Sequence, residues 1–268
     1  MKKLILLFIF AFFSYNAFAK QIEAKYIITY GSFLDLGEAT STLEIDKDTY
    51  KIKIAAKTVG MARFLTNDRE EIYESHGKII NDIFVPSKFI KIKKDNYKKR
   101  IRIFNFDYEN KKILVSDRTI GKEKIHTALL EEKFISIDKE SSSDLNYFAK
   151  NDILSLFFNL KNKIKTYKSG EEYILKAVGA NKTKGLINIL IPSNESFKKL
   201  DKILKTDDKS KFTVFINQKI FQSEKGELLI SLNKEGFCSF AILKDVLFFG
   251  DIVGKMTNFK INEGKDKI

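Results

Sequence analysis

YIITYGSFLDLGEATSTLEIDKDTYKIKIAAKTVGMARFLTNDREEIYESHGKIINDIFVPSKF, residues Tyr26 to Phe89, decides the fold class. Short runs of alternating apolar and polar residues are broken by turn signals, the pattern of a strand meander. The first run places Ala24, Tyr26, Ile28 and Tyr30 on one face. A turn between Phe33 and Gly37 leads to Ala39, Ser41, Leu43 and Ile45. After Asp46-Lys47-Asp48-Thr49, the residues Tyr50, Ile52, Ile54 and Ala56 carry the third inward face. The run at Ile72 and Tyr73 ends at His76-Gly77, read as a tight turn into Ile79 to Val85, and Pro86 suits a strand start or an edge.

Outward from this stretch, residues 89–94 and 97–106 read as a hairpin around Asp95-Asn96. Lys91, Lys93, Lys98, Arg100 and Arg102 share one parity on it, with Ile90, Ile92, Ile101 and Ile103 on the other. This pattern predicts an apolar face toward the core and a basic face outward. Like charges across a strand pair oppose one another, so a bound anion would relieve a cost. A solubilising edge strand is the competing explanation. Another strand is expected over 112–118, while residues 122–137 show no clear period.

Ser141-Ser142-Ser143-Asp144 marks a break, after which the period changes. Ile153, Leu156, Phe157, Leu160 and Ile164 fall on one face of a helix, with Asp152 placed to cap it. Such a helix would fill the hollow of a curved sheet with Phe157 buried, or present its face to a partner. Strands resume after Gly170, and Phe197, Leu200, Ile203 and Leu204 suggest a second, short helix. The architecture predicted is mainly β, an antiparallel curved sheet or half-open barrel with one main helix packed on it; a two-sheet sandwich is the alternative.

Several of these residues carry a resemblance to a known family. They are the tyrosine-rich first strand closing on Gly31, then Gly37, Thr58-Val59-Gly60, Arg69, Ser75-His76-Gly77 and Pro86-Ser87-Lys88-Phe89. This order resembles the bacterial envelope family of domain of unknown function 3108. The resemblance extends to Asp152-Ile153-Leu154-Ser155-Leu156-Phe157-Phe158 and to a strand pair around Phe248 to Phe259. Near the C-terminus the family's pattern has a proline-containing strand, where this chain reads Asn233-Lys234-Glu235-Gly236-Phe237-Cys238-Ser239-Phe240 without proline. The resemblance implies an envelope protein and brings no established activity.

The N-terminus carries an address of its own. Lys2 and Lys3, the apolar run from Leu4 to Phe13, and Ala17-Phe18-Ala19 form a signal peptide pattern, with cleavage expected before Lys20. The run is shorter than the ~20 residues a membrane span requires. The expected product is a periplasmic chain with a single β-rich domain over 20–262, with room for two sub-lobes meeting near 138–150, and a polar tail over 263–268. No later run suggests a transmembrane segment.

The net charge is +13. It fits either an anionic partner, such as lipid headgroups or an envelope polymer, or the lysine-rich composition of an AT-rich coding sequence. Nucleic acid is not an expected partner of an exported chain. Cys238 is the lone cysteine, read as a buried thiol between Phe237 and Phe240. With two histidines, His76 and His126, and no HExxH, CxxC, GxSxG or glycine-rich phosphate loop, no catalytic residue, metal site or cofactor is assigned. Adjacent acids such as Glu70-Glu71 and Glu131-Glu132 would point to opposite strand faces. The expected function is a non-enzymatic binding or assembly factor of the cell envelope, holding an apolar lipid-like ligand or an anionic surface. The alternative is an enzyme acting on an envelope polymer through carboxylates gathered by folding.

Overall fold

The computed structural model describes residues 20–31, 34–126, 132–163, 166–180, 184–215, 225–246 and 250–263. The signal segment, Glu131, Ile164 and the tail over 264–268 lie outside these residues. Strands β1 (Lys20–Tyr30), β2 (Leu34–Asp46), β3 (Thr49–Thr58), β4 (Glu70–Ile80), β5 (Ile83–Lys94), β6 (Lys98–Asp107), β7 (Lys112–His126) and β8 (Glu132–Asp144) form a first meander. Helix α1 (Gly60–Thr66) links β3 to β4, and helix α2 (Ile153–Lys163) follows β8. A second meander comprises β9 (Glu172–Lys176), β10 (Leu186–Leu190), β11 (Ser210–Phe215), β12 (Glu227–Leu232), β13 (Cys238–Val246) and β14 (Gly250–Glu263), with helix α3 (Asn194–Leu204) between β10 and β11.

Antiparallel pairing of β1 with β14 joins the meanders into one sheet of 14 strands, ordered β8 through β1 and then β14 back to β9. β8 and β9 are its edges, so the sheet is not closed into a barrel. It is also one sheet rather than the two of a sandwich. β14 runs on to Glu263, paired with Lys20, where a polar tail was expected to begin.

Two elements differ from the sequence reading. Ser141 to Ser143 belong to β8, paired with β7, because serine costs little in an exposed edge strand; the break comes only after Asp144. β4 also runs through His76-Gly77 to Ile80, and the turn is Asn81-Asp82, with φ of 50° and 61°. Two consecutive left-handed residues give the twist a two-residue hairpin needs. Gly77 instead marks a register shift between β4 and β5. A Cβ there would lie 2.0 Å from the carbonyl oxygen of Val85, which only glycine avoids. Pro86 pairs opposite it, and the bulge tolerates its missing N–H inside the sheet.

α2 packs against the face of the sheet that carries Ile22, Ala24, Leu43, Ile52, Phe89, Phe104 and Val115. Leu154, Leu156, Phe158 and Leu160 are all buried, so the helix is covered on several sides rather than along one stripe. Burying four such side chains is worth roughly 6–12 kcal/mol as an upper bound. Phe157, the residue expected at the centre of this contact, is only half-buried; its neighbour Phe158 takes that place, edge-on to Phe237 with ring centroids 5.0 Å apart. α3 lies on the opposite face of the second meander, where Leu200 and Leu204 meet Leu229 and Ile242.

Candidate functional site: the helix-bearing face

The start of α2 is fixed by a buried polar chain. The Asp152 carboxylate accepts from the backbone N–H groups of Leu154 (2.7 Å) and Ser155 (3.0 Å), as an N-cap does. Its second oxygen accepts from the Ser75 hydroxyl at 2.6 Å, and Ser75 lies 3.0 Å from the Tyr50 hydroxyl. Asp152 and Ser75 are wholly buried, and no ion pair reaches Asp152 among the described residues. Desolvation therefore pushes its pKa up to about 6, against the lowering effect of its hydrogen bonds. Two turns on from Asp152, the Asn159 side chain both accepts from the Phe84 N–H and donates to its carbonyl, each at 2.9 Å. β5 has no β6 partner at Phe84, so the amide takes the place of a strand there. These contacts bind α2 to β3, β4 and β5.

Beside the helix, on the same face, is a cavity of about 280 Å³. Tyr26, Ser41 and Ile54 of β1 to β3 form one wall, Ile153, Leu154, Phe157 and Phe158 of α2 another, and Leu228, Ile230, Phe237, Cys238 and Ala241 the third. The lining is almost wholly apolar. Cys238 keeps some accessible surface, as a residue of this wall would, while burial pushes its thiol pKa up to about 12. The thiol expected to be buried between Phe237 and Phe240 is therefore only half-buried, and its raised pKa disfavours the reactive thiolate.

Farther along β5 and β6, the five sequence-predicted cations come together, but on the face opposite to the one expected. Phe89 pairs with Phe104 on the core face; two residues on, Lys91 pairs with Arg102, and then Lys93 with Arg100. No register shift intervenes, so Lys91, Lys93, Lys98, Arg100 and Arg102 share the helix-bearing face. Ile90, Ile92, Ile101 and Ile103 take the outer face, half-buried beneath neighbouring side chains. The parity was legible but its direction was not. Phe89 and Phe104, buried in the core cluster that also takes in Leu154 and Phe158 of α2, outweigh the isoleucines in choosing the inner face.

These cations differ in setting. The Lys91 ammonium lies 4.9 Å from the Tyr73 ring centre, and burial, reinforced by Lys93, lowers its pKa to about 8. Lys93 donates to Glu71 at 3.0 Å, and Arg69 pairs with the same carboxylate. Arg100 donates to Asp117 at 2.8 Å. Arg102 Nε lies 2.9 Å from that carboxylate but lacks a well-aligned hydrogen bond. Against the opposing effect of burial, hydrogen bonds and neighbouring cations hold the pKa of Glu71 and of Asp117 below the usual carboxylate range. Lys98 has no ion pair among the described residues. The row continues through Thr119 to Lys139, lining a cleft of about 550 Å³ that also includes Leu65, Arg69, Lys94 and Glu123.

A family model described as "Protein of unknown function (DUF3108)" matches residues 25–185, more than half of the chain. The chain belongs to this family. No curated protein matches it. The DUF3108 segment spans most of β1, all of β2 to β9, and α2, so it contains the polar anchor and every cation of the cleft. It ends before β10, so the expected extension to residues 248–259 lies beyond the match. The cavity is consequently composite, with the DUF3108 segment and α2 on one side and β12 and β13 on the other.

The remaining candidates are dispersed. His76 Nε2 lies 3.1 Å from Glu74 and away from the cavity, and the His126 side chain falls outside the described residues. Glu70 and Glu71 do point to opposite faces, since only Glu71 shares the parity of Tyr73 and Ser75. Sequence reasoning missed Ser75, Tyr50 and Asn159 as partners of α2. Their long-range pairing left only one local signal, a capping Asp152 followed three residues later by Ser155. It also missed α1, which is too short for its period to stand out.

Proposed function

We propose that the protein is a non-enzymatic carrier of the cell envelope that holds one apolar, lipid-like group between α2 and the curved sheet. The observation that carries this reading is the apolar cavity of about 280 Å³. It approaches the usual ligand-pocket range of about 300–1,000 Å³ and exceeds the ~150 Å³ of an engineered void that binds benzene. The polar anchor of α2 supports the reading, because the helix is held by Asp152 and Asn159 even where its Phe157 side is not packed tight. Placement in the envelope rests on the signal pattern, with cleavage between Ala19 and Lys20; β1 begins at Lys20.

The test is uptake of the uncharged fluorophore N-phenyl-1-naphthylamine by the secreted chain, with mass spectrometry of organic extracts of the purified protein. Saturable binding that a fatty acid displaces, and that Ala241→Phe abolishes by filling the cavity, is the expected result. A wild type that neither binds the probe nor carries an extractable lipid would leave the cavity a packing void and the protein a scaffold. Chemical conversion of the extracted molecule would favour the enzymatic alternative.

A further inference from the structure

We infer that the end of the sheet formed by α1 and the β5–β6 turn docks on an anionic lipid surface. α1 buries none of its residues. Met61, Phe64 and Leu65 fall at i, i+3 and i+4 on one side of it, and they are 68%, 85% and 72% exposed. Three adjacent large apolar side chains held in water are a cost that isolated exposed residues do not carry.

The helix is also held in place. Asn96 of the β5–β6 turn donates from its backbone to the Asn67 carbonyl and from its side chain to Asp68, each at 2.9 Å. This tie brings the apolar tip beside the basic cleft, whose wall Leu65 shares with Lys94, Lys98 and Arg100. Lys94 and Lys98 have no ion pair among the described residues. Glu71 is shared by two cations and so is Asp117, which leaves the cleft with positive charge in excess.

Apolar side chains rimmed by cations match a bilayer interface, where the first enter the acyl boundary and the second meet phosphate groups. An apolar protein partner would satisfy Phe64 but leave the cations unanswered. A free polyanion would do the reverse. The inference goes beyond the carrier reading and does not require a loaded cavity.

The chain has no tryptophan, so Phe64→Trp gives a single reporter of insertion. Flotation with phosphatidylcholine vesicles, with and without phosphatidylglycerol, supplies the binding measurement. The wild type should bind the anionic vesicles at low salt and lose about tenfold or more on neutral vesicles or in high salt. The indole emission of the Phe64→Trp variant should shift to the blue on binding. The pairs Phe64→Ser with Leu65→Ser, and Lys94→Gln with Lys98→Gln, should each lose about tenfold with an unchanged melting temperature. Ala241→Phe should keep vesicle binding, which separates this inference from the carrier reading. Equal binding to neutral vesicles, unshifted emission in the bound state, or unaffected double variants would overturn it. So would self-association through α1 without vesicle binding.

Discussion

Phe89 and Phe104 pair across β5 and β6, and four residues along the same two strands, on the same face, Lys93 pairs with Arg100. The first pair is buried in the core cluster that α2 joins; the second lines an open, basic cleft. Strand, face and parity are identical, so none of them accounts for the difference. Cover by the core cluster around α2 does. Where that cluster covers the sheet, side chains must be apolar or fully hydrogen-bonded, as Ser75 and Asp152 are. Where it ends, the same face admits water and can carry charge. A curved sheet with one short helix in its hollow therefore has two chemistries on one surface.

The largest expected effect tests the covered half. Phe158→Ala should cost about 3–5 kcal/mol in denaturant unfolding, whereas Phe157→Ala should cost distinctly less because its ring is only half-buried. Equal losses would mean that the cavity is closed in solution, and the contrast between packed and open zones would need redrawing.

Next comes the buried carboxylate. The folded pKa of Asp152, about 6, lies above the ordinary 3.8. Between these values the folded state holds a proton that the unfolded state has released. The group's contribution is therefore most favourable below about pH 4 and is lost as pH rises through 6. Asp152→Asn keeps the capping oxygen, and the Ser75 to Tyr50 bond can reverse to suit an amide donor. At pH 7.5 the variant should be more stable by about 1–3 kcal/mol, with the gap vanishing near pH 4. Melting temperatures across that range give the answer, and a wild type more stable at pH 7.5 would show that Asp152 is held as a charge for another purpose.

The smallest effects sharpen the boundary between the halves. Lys98→Gln, in the open cleft, should change stability by less than about 0.5 kcal/mol. Lys91→Met should stabilise the fold slightly at pH 7, because burial disfavours the Lys91 charge. For a lysine with a lowered folded pKa, stability is regained as pH rises from about 8 toward the ordinary 10.5, so the Lys91→Met advantage should shrink over that interval. A pH-independent difference would place Lys91 in water, on the cleft side of the boundary.

Local sequence determined the strand meander, the Asp95-Asn96 and Asp46 to Thr49 turns, the helix capped by Asp152 and the shared parity of the five cations. Each depends on period, capping or turn chemistry within a dozen residues, and these interactions are short-ranged. The tertiary structure decided which parity faced inward, because opposite faces of a strand become inequivalent only when something covers one of them. It also decided that His76-Gly77 is a bulge, since the constraint on Gly77 is the Val85 carbonyl across the strand pair. The junction of Ser75 with Asp152 spans 77 residues, and one wall of the cavity is supplied by strands beyond residue 227. No local pattern encodes such pairings; the first exists once α2 packs on the first meander, and the second once β1 and β14 join the two meanders.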